Sequence, residues 1–272
     1  MRRASTLLAV LGLALLAVPA AASAAPTVKF KSQAVPIPGF SETGNILGAG
    51  TALKTEYEIS GTEYFGSPPP IIGINFYLPA HTTLHTSGFK TCNEELLRLK
   101  GPIGCPKGSE AGPVGSVLGY VTFGGERVEE TAENFSFYSP GKEFTFFTFG
   151  HSPVNLEVYS KGGFVNGGAS VGGGYGPELK VKVPLVPSVP GAPYASVKSI
   201  NVKTGSARGP KHNPKADTYY GRVPLKCPKG GFRVKTEVIF AENGEESKPV
   251  TVPATYTAPC PRKKIKYRII HH

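Results

Sequence analysis

The sequence predicts an all-β fold, an antiparallel β-sandwich with one short helix clipped by a disulfide. Runs of alternating apolar and polar residues, rich in β-branched and aromatic side chains, recur along the chain and are typical of half-buried strands. Glycine and proline account for 34 and 26 of the 272 residues, as many tight turns require. Greek-key and jelly-roll strand orders both remain open at this point.

Residues 1–24 are predicted to be a signal peptide. Arg2 and Arg3 form a charged start, Leu7 to Val18 form an apolar core, and Ala22-Ser23-Ala24 has the small side chains of a cleavage site. The apolar run is too short to span a bilayer, and no second long run follows. We therefore expect an exported protein that is secreted or held at the cell surface.

Residues 25–260 are expected to form a single β-sandwich domain of about ten strands. Strands are predicted at Thr27–Val35, Thr51–Glu63, Ile71–Leu78, Val114–Phe123, Phe135–Tyr138, Lys142–Phe149, Asn155–Ser160, Leu179–Leu185, Ala195–Lys203, Phe232–Phe240 and Pro249–Tyr256. The glycine-rich stretch Gly162–Gly176 is interpreted as a mobile loop. A repeated phrase, Pro-Ile/Leu-x-Cys-Pro-Lys-Gly at Pro102–Gly108 and Pro224–Gly230, leaves a duplicated two-domain arrangement as the alternative.

The one helix signal lies between Thr91 and Gly101. Thr91 or Asn93 can cap the helix, since a short polar side chain accepts a hydrogen bond from the free amides of the first turn. Acidic residues follow at the predicted start and basic residues at the end, as the helix dipole favours. Gly101 and Pro102 stop the helix. A helix of about two turns is marginal alone, so we expect a covalent clip around it.

Four cysteines in an exported chain indicate two disulfides, for which three connectivities are possible. A Cys92–Cys105 bond would close a short loop around the predicted helix. Cys227 and Cys260 stand at equal distances from the turn at Asn243-Gly244, so folding that hairpin would bring them level. We therefore predict the pairs Cys92–Cys105 and Cys227–Cys260.

Several of these turn and cysteine motifs are shared with known secreted proteins. The motifs are Leu78-Pro79, Ser87-Gly88-Phe89, Thr91-Cys92, Gly101-Pro102, Cys105-Pro106, Ser109, Gly112, Val183–Pro187, Cys227–Gly230 and Pro259-Cys260-Pro261. In these residues the chain resembles a group of uncharacterised β-rich, disulfide-containing proteins secreted by soil actinobacteria. In that group a strand ending in Leu-Pro leads to a cysteine, a short helix, a Cys-Pro-x-x-Ser-x-x-Gly turn and another strand. The resemblance implies architecture and secretion, and it implies no activity.

The candidate catalytic and metal motifs are weak. Gly168-Ala169-Ser170-Val171-Gly172 matches the G-x-S-x-G pattern, but the glycines and proline that follow disfavour the helix which a nucleophile elbow needs. His81 and His85 lie four apart in a segment that favours extended backbone, where they are too distant for one metal ion. Glutamates between Glu126 and Glu133 are interpreted as a solvated acidic turn, with calcium binding as the alternative. The sequence therefore predicts no catalytic residue, no metal site, no cofactor and no enzyme activity.

The densest aromatic patch lies between Phe135 and Phe149 and is the candidate pocket for an apolar ligand. The phenylalanines that would line such a pocket are Phe135, Phe137, Phe144, Phe146 and Phe149. The alternative is that the same patch is solid sandwich core, because aromatic side chains dominate the apolar area that cores bury. A structure distinguishes these possibilities by showing whether the patch is packed or encloses a cavity.

Residues 261–272 form a basic tail after the last cysteine. Its positive charges are Arg262, Lys263, Lys264, Lys266 and Arg268. We predict that this tail attracts polyanions of the cell envelope, such as wall polymers or anionic lipid headgroups. Of the formal net charge of +11, two charges lie in the leader and five in the tail. The rest of the chain is therefore only mildly basic, and nucleic-acid binding is not expected.

Together these features predict an exported, non-catalytic protein that acts by binding or by structure at or near the cell surface. The alternative is a carrier of an apolar small molecule or lipid, held in a cavity of the β-sandwich.

Overall fold

A computed structural model describes residues 25–40, 43–208 and 219–263. Within these residues the strands are β1 (Thr27–Val35), β2 (Gly50–Ser60), β3 (Ile71–Pro79), β4 (Thr83–Leu84), β5 (Gly115–Phe123), β6 (Glu126–Ser139), β7 (Glu143–Gly150), β8 (Leu156–Phe164), β9 (Ser170–Gly172), β10 (Tyr175–Lys182), β11 (Ser196–Thr204), β12 (Gly221–Arg222), β13 (Phe232–Ala241) and β14 (Pro249–Ala258). The α-helix is α1 (Glu94–Lys100), and short 3-10 turns lie at Pro102–Gly104, Pro140–Lys142, Val165–Gly168 and Glu242–Gly244. The predicted signal peptide lies outside the described residues.

All fourteen strands of the described chain join one sheet, and every pairing is antiparallel. The order is β14-β13-β3-β10-β8-β7-β6-β5-β11-β2-β12-β4, with β1 also on β2 and β9 on β10. The run from β5 to β8 is a simple meander of neighbouring hairpins. Because β3 pairs with β10 and β13, distant parts of the sequence are tied into the same sheet.

The sheet curls so that its two halves face each other, which gives the predicted antiparallel β-sandwich. The ring centroids of Phe30 on β1 and Phe76 on β3 lie 5.8 Å apart across the interior. The hydroxyls of Tyr57 on β2 and Thr236 on β13 are 3.2 Å apart. Strands β1 and β14 also lie beside each other, although no ladder joins them in the described chain. The main apolar core therefore lies between β1, β2, β3 and β13.

Each strand places alternate side chains on the interior and exterior faces, as a pleated backbone requires. On β13 the buried residues include Val234, Val238 and Phe240. Between them, Lys235 and Glu237 lie on the outer face and form a salt bridge of 2.6 Å. The alternating pattern in the sequence thus becomes an apolar interior and a charged surface.

Helix α1 packs on the exterior of the sheet. Asn93 is its cap, since its Oδ1 accepts a hydrogen bond of 2.7 Å from the amide of Leu96. Leu97 is buried against the sheet. Cys92 is bonded to Cys105, which lies beyond the helix, and the Cys92 amide donates to the carbonyl of Tyr138 at 2.8 Å. The disulfide and this hydrogen bond fix a helix that is too short to be stable alone.

The second predicted disulfide, Cys227–Cys260, joins the two ends of the β13–β14 hairpin. The register of this hairpin runs without a shift from Phe232 opposite Ala258 to Ala241 opposite Pro249. The turn contains a 3-10 segment rather than a two-residue loop, and Asn243 has a positive φ of 52°. The longer turn allows the apolar residues of both strands to share the interior face.

Two loop predictions are wrong. The acidic stretch Glu126–Glu133 is the first half of β6 rather than a solvated turn. The glycine-rich stretch Gly162–Gly176 contains the end of β8, the short strand β9 and the start of β10. In both stretches the pairing with neighbouring strands outweighs the weak strand propensity of glutamate and glycine.

Candidate functional site

The curled sheet surrounds a cavity of about 310 Å³ that is partly open to solvent. Its lining comes from the interior faces of strands throughout the sheet and is mainly apolar, as Leu53, Ile74, Val158 and Leu179 illustrate. Protein interiors are normally packed as tightly as organic crystals, and their voids are rarely larger than a water molecule. A cavity of this volume falls at the lower end of the range of small-molecule sites, which is about 300–1,000 Å³. The cavity is the candidate functional site.

Small residues on three neighbouring strands belong to this lining. Ala132 on β6 pairs with Gly150 on β7, and Gly119 on β5 pairs with Glu130 on β6. Gly119, Ala132 and Gly150 all line the cavity. Ala132 contributes only a methyl group to the interior, whereas the space beside Gly119 and Gly150 is taken by the Ser196 carbonyl and the Glu130 carboxylate.

The same wall carries a buried polar pair of residues, Glu130 and Asn134, on the interior face of β6. Each is only 5% exposed, and both line the cavity. The side-chain amide of Asn134 donates to Thr148 Oγ1 at 2.8 Å. Asn134 Oδ1 is buried without a hydrogen-bond partner, and both carboxylate oxygens of Glu130 are also buried. Three acceptor atoms in the wall are therefore withdrawn from water.

The side chain of Glu130 lies against Gly150. A Cβ atom on Gly150 would clash with Glu130 Oε1, so a larger residue at position 150 would displace the carboxylate. Burial raises the pKa of Glu130, and hydrogen bonding from the backbone amides of Val154 and Ser152 and the charge of His151 oppose this shift more weakly. Within the described residues, no lysine or arginine forms a salt bridge with Glu130. The site thus holds a desolvated carboxyl group that, within the described residues, has no lysine or arginine partner.

The predicted pocket phenylalanines are divided between the two faces of the sheet. Phe144 and Phe146 line the cavity. Phe135, Phe137 and Phe149 lie on the outer face, where they belong to the cluster beneath helix α1. This division follows from the pairing of β6 with β7, which sets Phe135 opposite Phe147 and Tyr138 opposite Phe144.

Sequence reasoning missed Glu130 and Asn134, although a signal was present. From Val128 onward, every second residue of β6 points to the same face, which includes Glu130, Ala132 and Asn134. The charge of the neighbouring residues obscured that alternation. A period-two pattern of apolar and small residues around one glutamate would have indicated a carboxyl group in the interior.

The predicted basic tail is described only at its start. Lys263 is the last described residue, and its carbonyl accepts a hydrogen bond of 3.0 Å from the amide of Leu47. Arg262 is also described, whereas Lys264, Lys266 and Arg268 lie outside the described residues. Polyanion binding by this tail stays a prediction.

The serine of the G-x-S-x-G match lies on strand β9. Ser170 Oγ donates to the carbonyl of Tyr175 at 2.7 Å. The chain then turns at Gly173 and Gly174 and enters β10 rather than a helix. This is not the strand-turn-helix geometry of a nucleophile elbow.

Among the described residues, no three histidine, cysteine, aspartate or glutamate side chains are grouped in a way that could hold a metal ion. No helix in that part of the chain is long and apolar enough to cross a membrane.

Comparisons with protein-family models, with curated proteins and with solved structures find no match to this chain. Its function is therefore argued from the cavity and the residues around it.

Proposed function

We propose that this is an exported, non-catalytic binding protein whose interior cavity holds an apolar small molecule. The observation that carries the proposal is a cavity of about 310 Å³ with a mainly apolar lining. An apolar ligand of matching size would gain about 25 cal/mol for each Å² of apolar surface removed from water. The proposal joins the two functions expected from the sequence, because the binding activity and the carried molecule share one site.

The apolar lining of the cavity supports this proposal. Apolar surface that contacts water instead of an apolar molecule forgoes the free energy that its burial would contribute. The lining includes Ala132, whose methyl group leaves space that a larger apolar side chain would fill. An occupant of the cavity explains why a small residue stands at this position.

Export is supported by the leader-like start of the chain and by the disulfides. Residues 1–24 have the charged start, apolar core and small-residue site of a signal peptide. All four cysteines are paired, which is typical of proteins that fold in oxidising compartments. Action at or near the cell surface is the corresponding proposal for its location.

The test combines ligand extraction with a cavity-filling variant. The protein is purified from its export fraction, and its organic extract is analysed by mass spectrometry. In parallel, binding of the neutral fluorophore N-phenyl-1-naphthylamine is measured for the wild type, for Ala132→Leu and for Thr131→Leu. Ala132 lines the cavity, whereas Thr131 is exposed on the opposite face of the same strand.

We expect Ala132→Leu to keep or raise the melting temperature, because it fills the void, and to weaken fluorophore binding by at least tenfold. Thr131→Leu should leave binding unchanged. Equal binding by all three folded proteins would show that the cavity is not the site. Absence of both a co-purified apolar molecule and fluorophore binding would overturn the proposed function.

A further inference from the structure

We infer that the end of the molecule around the Cys227–Cys260 disulfide is a docking surface for a lipid bilayer with anionic headgroups. This surface, which we name the disulfide patch, consists of one exposed leucine and four exposed cations: Leu225, Lys226, Lys229, Arg262 and Lys263. The patch lies on the outside of the protein, so docking through it does not depend on whether the cavity is filled.

Two kinds of bond bring these residues together from distant parts of the chain. The disulfide holds the Cα atoms of its two cysteines 5.8 Å apart. The amide of Leu47 donates to the carbonyl of Lys263 at 3.0 Å. The next amide, that of Gly48, donates to the carbonyl of Val223 at 3.1 Å. The two segments that carry the cations are therefore fixed to each other and to the loop that precedes β2.

The patch is positively charged without an acidic neighbour. The chain has no aspartate or glutamate at positions 43–55, 219–236 or 247–263, which include the segments that meet at this end. Within the described chain, none of the four cations forms a salt bridge. A surface that carries anionic groups is therefore the partner whose charge complements the patch.

The other copy of the repeated phrase provides a comparison within the molecule. Pro102–Gly108 also carries a disulfide and also exposes an aliphatic side chain, Ile103. Its surroundings are acidic, since the Gly108 amide donates to the Glu110 carboxylate at 2.7 Å and helix α1 begins with two glutamates. The purely basic surroundings at the second copy are therefore not a consequence of the phrase itself.

Leu225 indicates that the anionic partner is a bilayer. Its side chain is 52% exposed, and the next residue in the chain is a lysine of the patch. A soluble polyanion offers charge but no apolar phase for a leucine, whereas a bilayer has apolar chains directly beneath its charged headgroups. Binding of proteins at membrane interfaces combines buried apolar area with electrostatic attraction to anionic lipids in this way.

The patch also adjoins the cavity. Pro224 and Pro259, which lie beside its leucine and its disulfide, line the cavity. Docking through the patch would therefore bring the proposed site for an apolar molecule next to lipid. Only this consequence rests on the proposed function.

The experiment measures sedimentation of the exported protein with lipid vesicles over a range of salt concentrations. The vesicles contain phosphatidylcholine alone or mixed with anionic phosphatidylglycerol. Inorganic polyphosphate serves as a soluble polyanion that competes for charge but has no apolar phase. Residues 264–272 are kept in every variant, so that the charges of the tail act equally in each comparison.

The patch variants are Leu225→Ser and the double variant Lys226→Gln with Lys229→Gln. Each has a matched control at the first disulfide, where the corresponding side chains are also exposed. The controls are Ile103→Ser and the double variant Lys100→Gln with Lys107→Gln. Each pair of variants therefore loses the same charge or the same kind of aliphatic side chain.

We expect the wild type to bind mixed vesicles but not pure phosphatidylcholine, and to bind more weakly as the salt concentration rises. The lysine variant of the patch should bind about 20-fold more weakly, since each cation near an anionic bilayer changes the affinity about fivefold. Leu225→Ser should weaken binding about fivefold, because an apolar side chain no longer enters the bilayer. Both controls should bind like the wild type.

Equal losses in the patch and control lysine variants would show that net charge governs binding, and would overturn the docking surface. Wild-type binding by Leu225→Ser together with full competition by polyphosphate would make a soluble polyanion the partner and overturn the bilayer. Melting temperatures establish that each variant is folded. Binding of N-phenyl-1-naphthylamine by the same proteins reports on the cavity separately. Vesicle binding without fluorophore binding would overturn the proposed function alone, and the reverse result would overturn the docking surface alone.

Discussion

The two faces of the β6–β7 hairpin are formed by the same strands but have opposite characters. On the outer face, Phe137 and Phe147 are 2% and 3% exposed and pack with Leu97 of the helix. On the inner face, Glu130, Ala132 and Gly150 line a cavity. Because successive side chains of a strand point to opposite faces, the same strand contributes to the packed cluster beneath helix α1 and to the lining of the cavity.

The two faces of this hairpin are packed to different degrees. The outer face is covered by a helix of seven residues that a disulfide and an N-cap hold in place. Its aromatic rings are in close contact, with the centroids of Phe147 and Tyr159 separated by 4.8 Å. The inner face keeps small and polar residues instead. In this hairpin, close aromatic packing is thus concentrated on the outer face.

The largest effect is expected from truncating a ring on the packed face. Phe137→Ala should lower the free energy of unfolding by about 3–5 kcal/mol, because it removes a fully buried ring from a well-packed cluster. Phe146→Ala, on the cavity face, should cost clearly less, since its ring already lacks neighbours on the cavity side. Urea unfolding with the disulfides intact measures both. Equal losses would show that the two faces are packed alike.

Removal of the helix clip should have the next largest effect. The variant with Cys92→Ala and Cys105→Ala should lose about 3 kcal/mol of stability, as expected for a loop of about fifteen residues. The disulfide lies on the outer face, so fluorophore binding by the folded variant should be unchanged. Loss of binding without loss of folding would contradict the separation of the two faces.

The sequence predicted helix α1 and its disulfide well, for reasons that are local. A cap, charges arranged along the dipole, a glycine stop and two flanking cysteines all act within a few residues of one another. They are sufficient to place α1 and its disulfide. The hairpin ending at Cys227 and Cys260 was predicted in the same way, from one turn and its symmetry.

The inner face could not be predicted in the same way, because it depends on the pairing of distant strands. Which phenylalanines face the cavity is decided by the register of β6 with β7 and by the curl of the whole sheet. From their closeness in sequence alone, Phe135 and Phe144 were predicted to line the same pocket. The cavity lies where side chains from distant strands do not come into contact. No local sequence motif marks such a place.

The smallest expected effect is a difference in acid response between two carboxylates, one on each face. Glu94 of the helix forms salt bridges with Lys161 at 2.7 Å and Arg98 at 2.6 Å. Its hydrogen bond with Lys161 is the main cause that lowers its pKa. A lowered pKa in the folded state stabilises the protein above the pKa of the unfolded state, and this stability is lost as the pH falls through the folded pKa.

Glu130 should respond with the opposite sign, because burial raises its pKa. Its ionisation costs stability at neutral pH, and that cost disappears as the pH falls through the raised folded pKa to the unfolded pKa.

Glu94→Gln should therefore be destabilising at neutral pH, by up to about 1 kcal/mol as for other ion pairs near a surface, and nearly neutral in acid. Glu130→Gln should raise the melting temperature at neutral pH, and this gain should shrink in acid. Thermal unfolding from neutral to acidic pH, without ligand, measures both variants beside the wild type. The same sign of response in the two variants would mean that Glu130 is stabilised in its charged form. The expected difference in acid response between the outer-face and inner-face carboxylates would then be wrong.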